Sequence, residues 1–202
     1  DLEGLSRVPG RTFRWRGEYG FDLNEAKTLE THLNVFATFR PRIPPAYRES
    51  EIVFLANIDP DLQREVLAQV AAPRLVAADT MNFWIMGKPE ALRETLKQVH
   101  TLLINDAEAR MLTGEPNLVK AARKILSWGP RSLVIKRGEY GALMFSDGWW
   151  FSAPALPLEQ ILDPTGAGDS FAGGFLGYLA NTGNFSLDNI RKAVIMGSVM
   201  AS

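Results

Sequence analysis

Four short apolar runs, over residues 52–56, 74–78, 101–104 and 132–135, punctuate segments with helical spacing. A run of four or five apolar residues is what a strand covered on both faces looks like. Helical patterns are expected over 59–70, 89–99, 105–114, 118–128, 167–179 and 187–200. Pro60 suits a first helical turn, and Gly129-Pro130 stops the fourth of these helices. Strands alternating with helices demand βαβ units, and therefore a mainly parallel sheet with helices on both faces. Near its end the pattern changes: 142–145 and 149–152 flank Asp147-Gly148, a type I′ hairpin signal. A chain of 202 residues, 46% of them hydrophobic, is long enough for one such domain with a sizeable core and a small appendage.

The appendage is expected at the start. From Thr12, alternation puts Phe13, Trp15 and Tyr19 on one side and Arg14, Arg16 and Glu18 on the other. A second alternating stretch, 28–39, would place Leu29, Leu33, Val35, Ala37 and Phe39 on one face. The opposite face would carry Thr28, Glu30, His32, Asn34 and Thr38. Two half-buried strands joined by a polar loop make a small antiparallel sheet with one wet face. The proline-rich stretch 41–45 ends it, so residues 1–44 read as one unit and 45–202 as the α/β core.

Composition narrows the partners. A net charge of −1 lacks the basic surplus that a nucleic-acid partner calls for. Without cysteine there is no disulfide, thiolate metal site or thiol nucleophile, which suits a reducing compartment. The two histidines, His32 and His100, stand in no metal-ligand spacing. The longest uncharged stretch, 170–187, is broken by Gly, Ser, Asn and Thr, so no membrane span is expected.

The stretch with most chemistry is Asp163-Pro164-Thr165-Gly166-Ala167-Gly168-Asp169, which opens a helix. A glycine-rich helix start leaves backbone N–H groups free and adds the positive end of the helix dipole. Together these make an anion site suited to phosphate. A carboxylate such as Asp169 beside bound phosphate is costly unless it serves as a base for an attacking hydroxyl. The structural alternative is that Asp169 complements the dipole and the glycines permit tight packing. There is no GxxxxGK[ST] loop, and Phe171 breaks the GxGxxG dinucleotide pattern.

Asp163–Asp169, followed by Ser170-Phe171-Ala172-Gly173-Gly174-Phe175, closely resembles the C-terminal signature of the ribokinase-like (PfkB) carbohydrate kinases. Asn105-Asp106-Ala107-Glu108 is similar to that family's N-x-x-E motif. The turn Lys136-Arg137-Gly138-Glu139-Tyr140-Gly141 is similar to its nucleotide-side G-x-x-G turn. The resemblance implies a ribokinase-like doubly wound α/β fold with a small β-sheet lid over the acceptor. It implies an ATP- and Mg²⁺-dependent transfer of the γ-phosphoryl group to a sugar hydroxyl, in the cytoplasm. The nearest alternative is a nucleoside kinase of the same family. A non-catalytic sugar- or nucleotide-binding protein on this fold is the alternative from another class.

Residue by residue, the resemblance makes Asp169 the base and the amides of Gly166, Ala167 and Gly168 the anion hole. Asn105 and Glu108 would organise Mg²⁺ and nucleotide phosphates, partly through water, although Asn105 is also a good helix N-cap. Lys136, Gly138 and Gly141 would lie near ATP. Asp163 and Thr165 would lie near the potassium site that some relatives possess. Pro164 stands where the signature usually has Thr. Arg14, Trp15, Arg16, Tyr19 and Asn24 in the lid could face the acceptor, or the lid aromatics could be its own packing or a homodimer face. Asn57 and Asp59, after the first core strand, and Asp79 and Asn82, after the second, could line the pocket or serve as turns and caps. The family's N-terminal Gly-Gly-x-x-x-Asn motif and its C-terminal end have no counterpart here. The stretch is therefore expected to be a piece of a kinase of roughly 300 residues.

Overall fold

The computed structural model describes residues 2–21, 23 and 26–202. The chain opens with antiparallel strands β1 (Arg14–Tyr19) and β2 (Ala26–His32). Their register pairs Arg14 with His32, Trp15 with Thr31 and Arg16 with Glu30, then skips to pair Gly17 with Thr28. The skip leaves Leu29 unpaired, a β-bulge. It corrects the expected faces: Thr28 joins Trp15 and Thr31 on one side, while Leu29 turns to solvent at 44% exposure. The second expected strand is also shorter than its pattern. Asn34 takes a left-handed φ of 51°, its Nδ2 donates to the Thr12 carbonyl at 2.8 Å, and a 3₁₀ helix runs over Asn34–Thr38. Asn tolerates this conformation and bonds locally, so it ends the strand.

The core sheet follows as β3 (Ile52–Leu55), β4 (Leu75–Asp79), β5 (Thr101–Asn105) and β6 (Ser132–Lys136), all parallel. The hairpin β7 (Ala142–Ser146) and β8 (Trp149–Ala153) extends it antiparallel. Strand order among the described residues runs β3-β4-β5-β6-β7-β8 without reversal. Crossovers between parallel strands are right-handed, so steps in one direction put every crossover helix on the same face. These are α1 (Pro60–Leu67), α2 (Asn82–Gly87), α3 (Pro89–Leu96), α4 (Asp106–Thr113) and α5 (Leu118–Leu126). The other face is covered by α6 (Ala167–Thr182) and α7 (Leu187–Met200), which arrive after the hairpin.

Two cores result, and alternation along each strand feeds both. Leu102, Ile104, Leu133 and Ile135 point to the first, against Leu92, Leu96, Ala109 and Ile125. Leu103, Val134 and Met144 point to the second, against Phe171, Phe175, Leu179 and Val194. The helix α2 was not expected from the sequence. Six residues give too few turns for a period to show, and Trp84 and Ile85 hold it by burial.

The bulge gives a direct test. Leu29→Ser is expected to change unfolding free energy by less than about 0.5 kcal/mol, as for an exposed side chain. Phe175→Ala, at 1% exposure, is expected to cost about 3–5 kcal/mol. Urea denaturation of both variants measures the contrast.

Candidate active site

Parallel register brings one set of strand ends to one edge. Asp79 lies opposite Leu103 and Asn105 opposite Lys136, so β4, β5 and β6 end side by side. The start of α6 faces this edge: a Cβ placed on Gly168 would sit 2.8 Å from the Lys136 Nζ. The lysine tip therefore lies against the loop, and it is the flexible end that would shift for a larger residue. Gly166 caps α6 with a φ of 84°, a turn that a side chain would strain. Ala167, Gly168 and Asp169 are then the first helical residues, whose N–H groups have no partner within a helix. The Ala167 N–H instead closes a turn onto the Pro164 carbonyl at 3.1 Å. Of the amides expected to form an anion hole, that one is therefore engaged within the loop. Asp169 is exposed and stands in the first turn, where its charge complements the dipole.

Asp79 gives the edge its most unusual group. It is 6% exposed, and its Oδ1 is buried without a hydrogen-bond partner. Burial raises its carboxyl from 3.8 to about 7; the Lys136 ammonium opposes that rise, while Asp169 and Glu108 add to it. The four charged groups thus share one neighbourhood. The next side chain, Thr80, also has a buried hydroxyl without a partner.

Asn105 and Glu108 form a reciprocal capping box at the start of α4. The Asn105 Oδ1 accepts from the Glu108 N–H at 2.7 Å, and a Glu108 carboxylate oxygen accepts from the Asn105 N–H at 2.8 Å. The structure shows the capping role of Asn105, and the cap sits at the strand end. Gly138 and Gly141 bracket a 3₁₀ turn after β6. A Cβ on Gly141 would lie 2.1 Å from the Ala153 carbonyl, so its glycine serves the hairpin's close approach.

The small sheet meets this edge through one face. The Tyr19 hydroxyl lies 3.1 Å from the Thr165 hydroxyl. The Thr165 N–H donates to the Asp163 carboxylate at 2.9 Å, and the Thr165 hydroxyl and N–H hold that carboxyl below the usual range. Trp15 and Asn57 line a narrow slot of about 40 Å³ with Thr31, Met81 and Trp84. In it the Trp15 indole donates to Thr28, and the Asn57 amide to the Met81 sulfur.

Other expected site residues are not brought together. Arg14 and Arg16 share the opposite face of the sheet with His32 and Glu30, away from the slot, because alternation separates them from Trp15. Asp59 caps α1 and pairs with Lys88 at 2.7 Å, with Asp61 as a second partner of that lysine. This is the capping role. Asn82 opens α2. Asn24 lies outside the described residues. Sequence reasoning placed Asp79 at a strand end without separating pocket from cap; its burial depends on chain far away. Tyr19–Thr165 carries no sequence signal, since 146 positions separate the partners.

Strand ends facing a glycine-bracketed helix start define an α/β protein with an anion-type loop at its ligand edge. The pfkB family of carbohydrate kinases matches residues 44–202, and the chain belongs to that family. A cytidine kinase of Thermococcus kodakarensis is 34% identical over 180 residues, covering 87% of this chain and 64% of that protein. The chain thus spans less than two thirds of that relative's length. Ribokinase from Thermotoga maritima superposes with a TM-score of 0.76 at 24% identity, covering 97% of this chain and 64% of that one. Aminoimidazole riboside kinase from Salmonella enterica, complexed with aminoimidazole riboside and an ATP analogue, superposes with a TM-score of 0.64 at 20% identity, over 76% and 56% of the two chains. These likenesses establish the fold.

The buried carboxyl predicts a pH signature. The folded chain holds a proton on Asp79 that the unfolded chain releases above 3.8. Stability from this group is therefore full below about pH 4 and lost as pH rises through about 7. Asn does not titrate, so Asp79→Asn should gain stability relative to the parent between pH 4 and 8. The gain is on the order of 2–4 kcal/mol. Denaturation of both proteins across that range checks it, and a pH-independent difference would contradict the burial.

Proposed function

We propose that the protein is an ATP-dependent kinase that transfers the γ-phosphoryl group to a hydroxyl of a sugar or of a nucleoside's sugar. One observation carries the reading: a helix start whose Gly168 and Asp169 amides have no acceptor within the helix, with an acid in its first turn and an ammonium lying against it. Asp169 takes the proton from the acceptor hydroxyl. The first-turn amides of α6 and Lys136 hold the charge that grows on the transferring group. Residues 1–44 act as a lid and 45–202 as the core; Trp15 and Asn57, which share the slot, belong to the acceptor side. Gly138 and Gly141 shape the nucleotide side.

Among the described residues no three acidic or histidine side chains are grouped to hold a metal ion. That suits Mg²⁺, which keeps its water and binds through phosphates and one or two carboxylates. Glu108, with Asn105, would hold it; when bound it neutralises phosphate charge. Asp163 and Thr165, whose groups already bond each other, are the candidates beside a potassium ion. Among the described residues no helix is long and apolar enough to cross a membrane. We place the activity in the cytoplasm, without a nucleic-acid partner.

The cytidine kinase relative favours a nucleoside acceptor as a second reading. ADP formation from ATP, measured against pentoses, hexoses, sugar acids and nucleosides, separates the two. Asp169→Asn is expected to lower kcat by about 10²–10⁴ with an unchanged unfolding midpoint. A rate equal to the parent's removes Asp169 from the mechanism.

A further inference from the structure

The core-side wall of the slot under the small sheet comes from two short stretches. Asn57 stands in the turn after β3, while Met81, Phe83 and Trp84 belong to α2 or to the residue that opens it. α2 has little of its own to hold it in place. Its six residues make fewer than two turns, and no side chain caps its start. A helix this short does not persist unaided, so contacts from outside must fix it. Trp84 and Ile85 fix one side by burial. At the slot, the Asn57 amide donates to the Met81 sulfur at 3.0 Å, and a thioether is a weak acceptor.

The other end of α2 is tied by charge. Lys88 alone separates α2 from α3, and its Nζ lies 2.7 Å from a carboxylate oxygen of Asp59 and 2.7 Å from one of Asp61. The bonds to Asp59 and Asp61 hold the ammonium above its usual range, and the bond from Lys88 holds the Asp61 carboxyl below its own. Asp59 follows Asn57 by two residues, so the ion cluster joins the two stretches that supply the slot wall. Among the described residues Lys88 is the only ion-pair partner of Asp59, while Asp61 also has Arg64. The contact between α1 and α3 does not depend on this cluster. The buried Thr95 hydroxyl donates to the Pro60 carbonyl at 2.9 Å, and Leu92 and Leu96 sit in the first core. Removing the Lys88 ammonium therefore spares α1 and α3. It leaves two neighbouring acids that repel, and it releases the end of α2.

We propose, resting on the kinase reading with the slot on its acceptor side, that Lys88 is a positioning residue: by bridging Asp59 and Asp61 it fixes α2 and so sets the slot for the acceptor. Lys88 does not line the slot and acts through Met81, Phe83 and Trp84. The chemistry belongs to the start of α6, so loss of Lys88 falls on acceptor binding and spares turnover and ATP. A sugar or nucleoside carries no charge, so salt has no direct hold on its binding. A partly exposed ion cluster is screened by salt, and the acceptor inherits that sensitivity only through Lys88.

The test compares the full-length protein with Lys88→Met and Lys88→Arg, using the acceptor that best drives ADP formation. Acceptor KM and kcat are measured at saturating ATP, and the Kd of ATP by calorimetry. Lys88→Met is expected to raise the acceptor KM at least fivefold, with kcat and the ATP Kd within twofold of the parent. Lys88→Arg, which keeps a charge able to bridge two carboxylates, is expected to return KM to within twofold. Raising NaCl from about 0.05 to about 0.5 M is expected to raise the parent's acceptor KM at least twofold and to leave that of Lys88→Met unchanged. An acceptor KM within twofold of the parent in Lys88→Met overturns the proposal. So does an equal salt response in both proteins, or no recovery in Lys88→Arg. A general loosening of the fold moves kcat and ATP affinity together with KM, and that pattern overturns it too. Should Lys88→Met fail to fold, Lys88→Gln, a neutral side chain that still donates, replaces it with the same expectations. A parent protein that forms no ADP with any acceptor fails the kinase reading itself. That result is distinct from an active parent whose acceptor KM ignores Lys88.

Discussion

The parallel ladder from β3 to β6 is the constraint on which everything else depends. It aligns four strands in one direction, so all of their carboxyl ends emerge at one edge. The interiors of the strands are apolar on both faces and leave no room for charge. Polar chemistry is thereby pushed to the last residue of β4, β5 and β6: Asp79, Asn105 and Lys136. A helix start arriving across that edge meets these side chains together. The packing of α6 and α7 on the second core fixes its approach, through Phe171, Phe175 and Val194. The rigidity of the site is thus inherited from burial rather than from bonds within it.

At that edge two carboxylates differ by environment. Asp169 is exposed, in the first turn of a helix, and Asp79 is buried at a strand end. Burial and neighbouring acids raise the proton affinity of Asp79. Pairs of acids in unequal surroundings are how one site holds groups of different basicity. Coulomb interactions there are stronger than at an open surface, because the sheet end excludes water from one side.

What the sequence disclosed follows the range of the interactions involved. The buried strands and the α6 loop are local: four or five apolar residues, or seven contiguous ones, carry the information. The face reversal in β2 was hidden because a bulge needs a partner strand to exist, and Leu29 alternates correctly until the register skips. Asn34 shows how a residue fit for a strand face ends the strand when its side chain finds the Thr12 carbonyl. Asp59 had a capping role open to it from its position before Pro60, but only the fold supplied Lys88. Asp79 and Tyr19 needed tertiary structure outright, one for its burial and the other for its partner.

The two-stranded sheet adds a different lesson. A lone hairpin is marginal in water, so β1 and β2 must draw their stability from docking. The docking contacts are few and specific: the slot that Trp15 shares with Asn57 and Met81, and the Tyr19–Thr165 hydroxyl pair. A hydrogen bond between exposed hydroxyls contributes about 1 kcal/mol at most, because water competes for both partners. Thr165 belongs to the same turn that sets Gly166 and the start of α6. The position of the small sheet and the shape of the anion loop therefore share one weak bond.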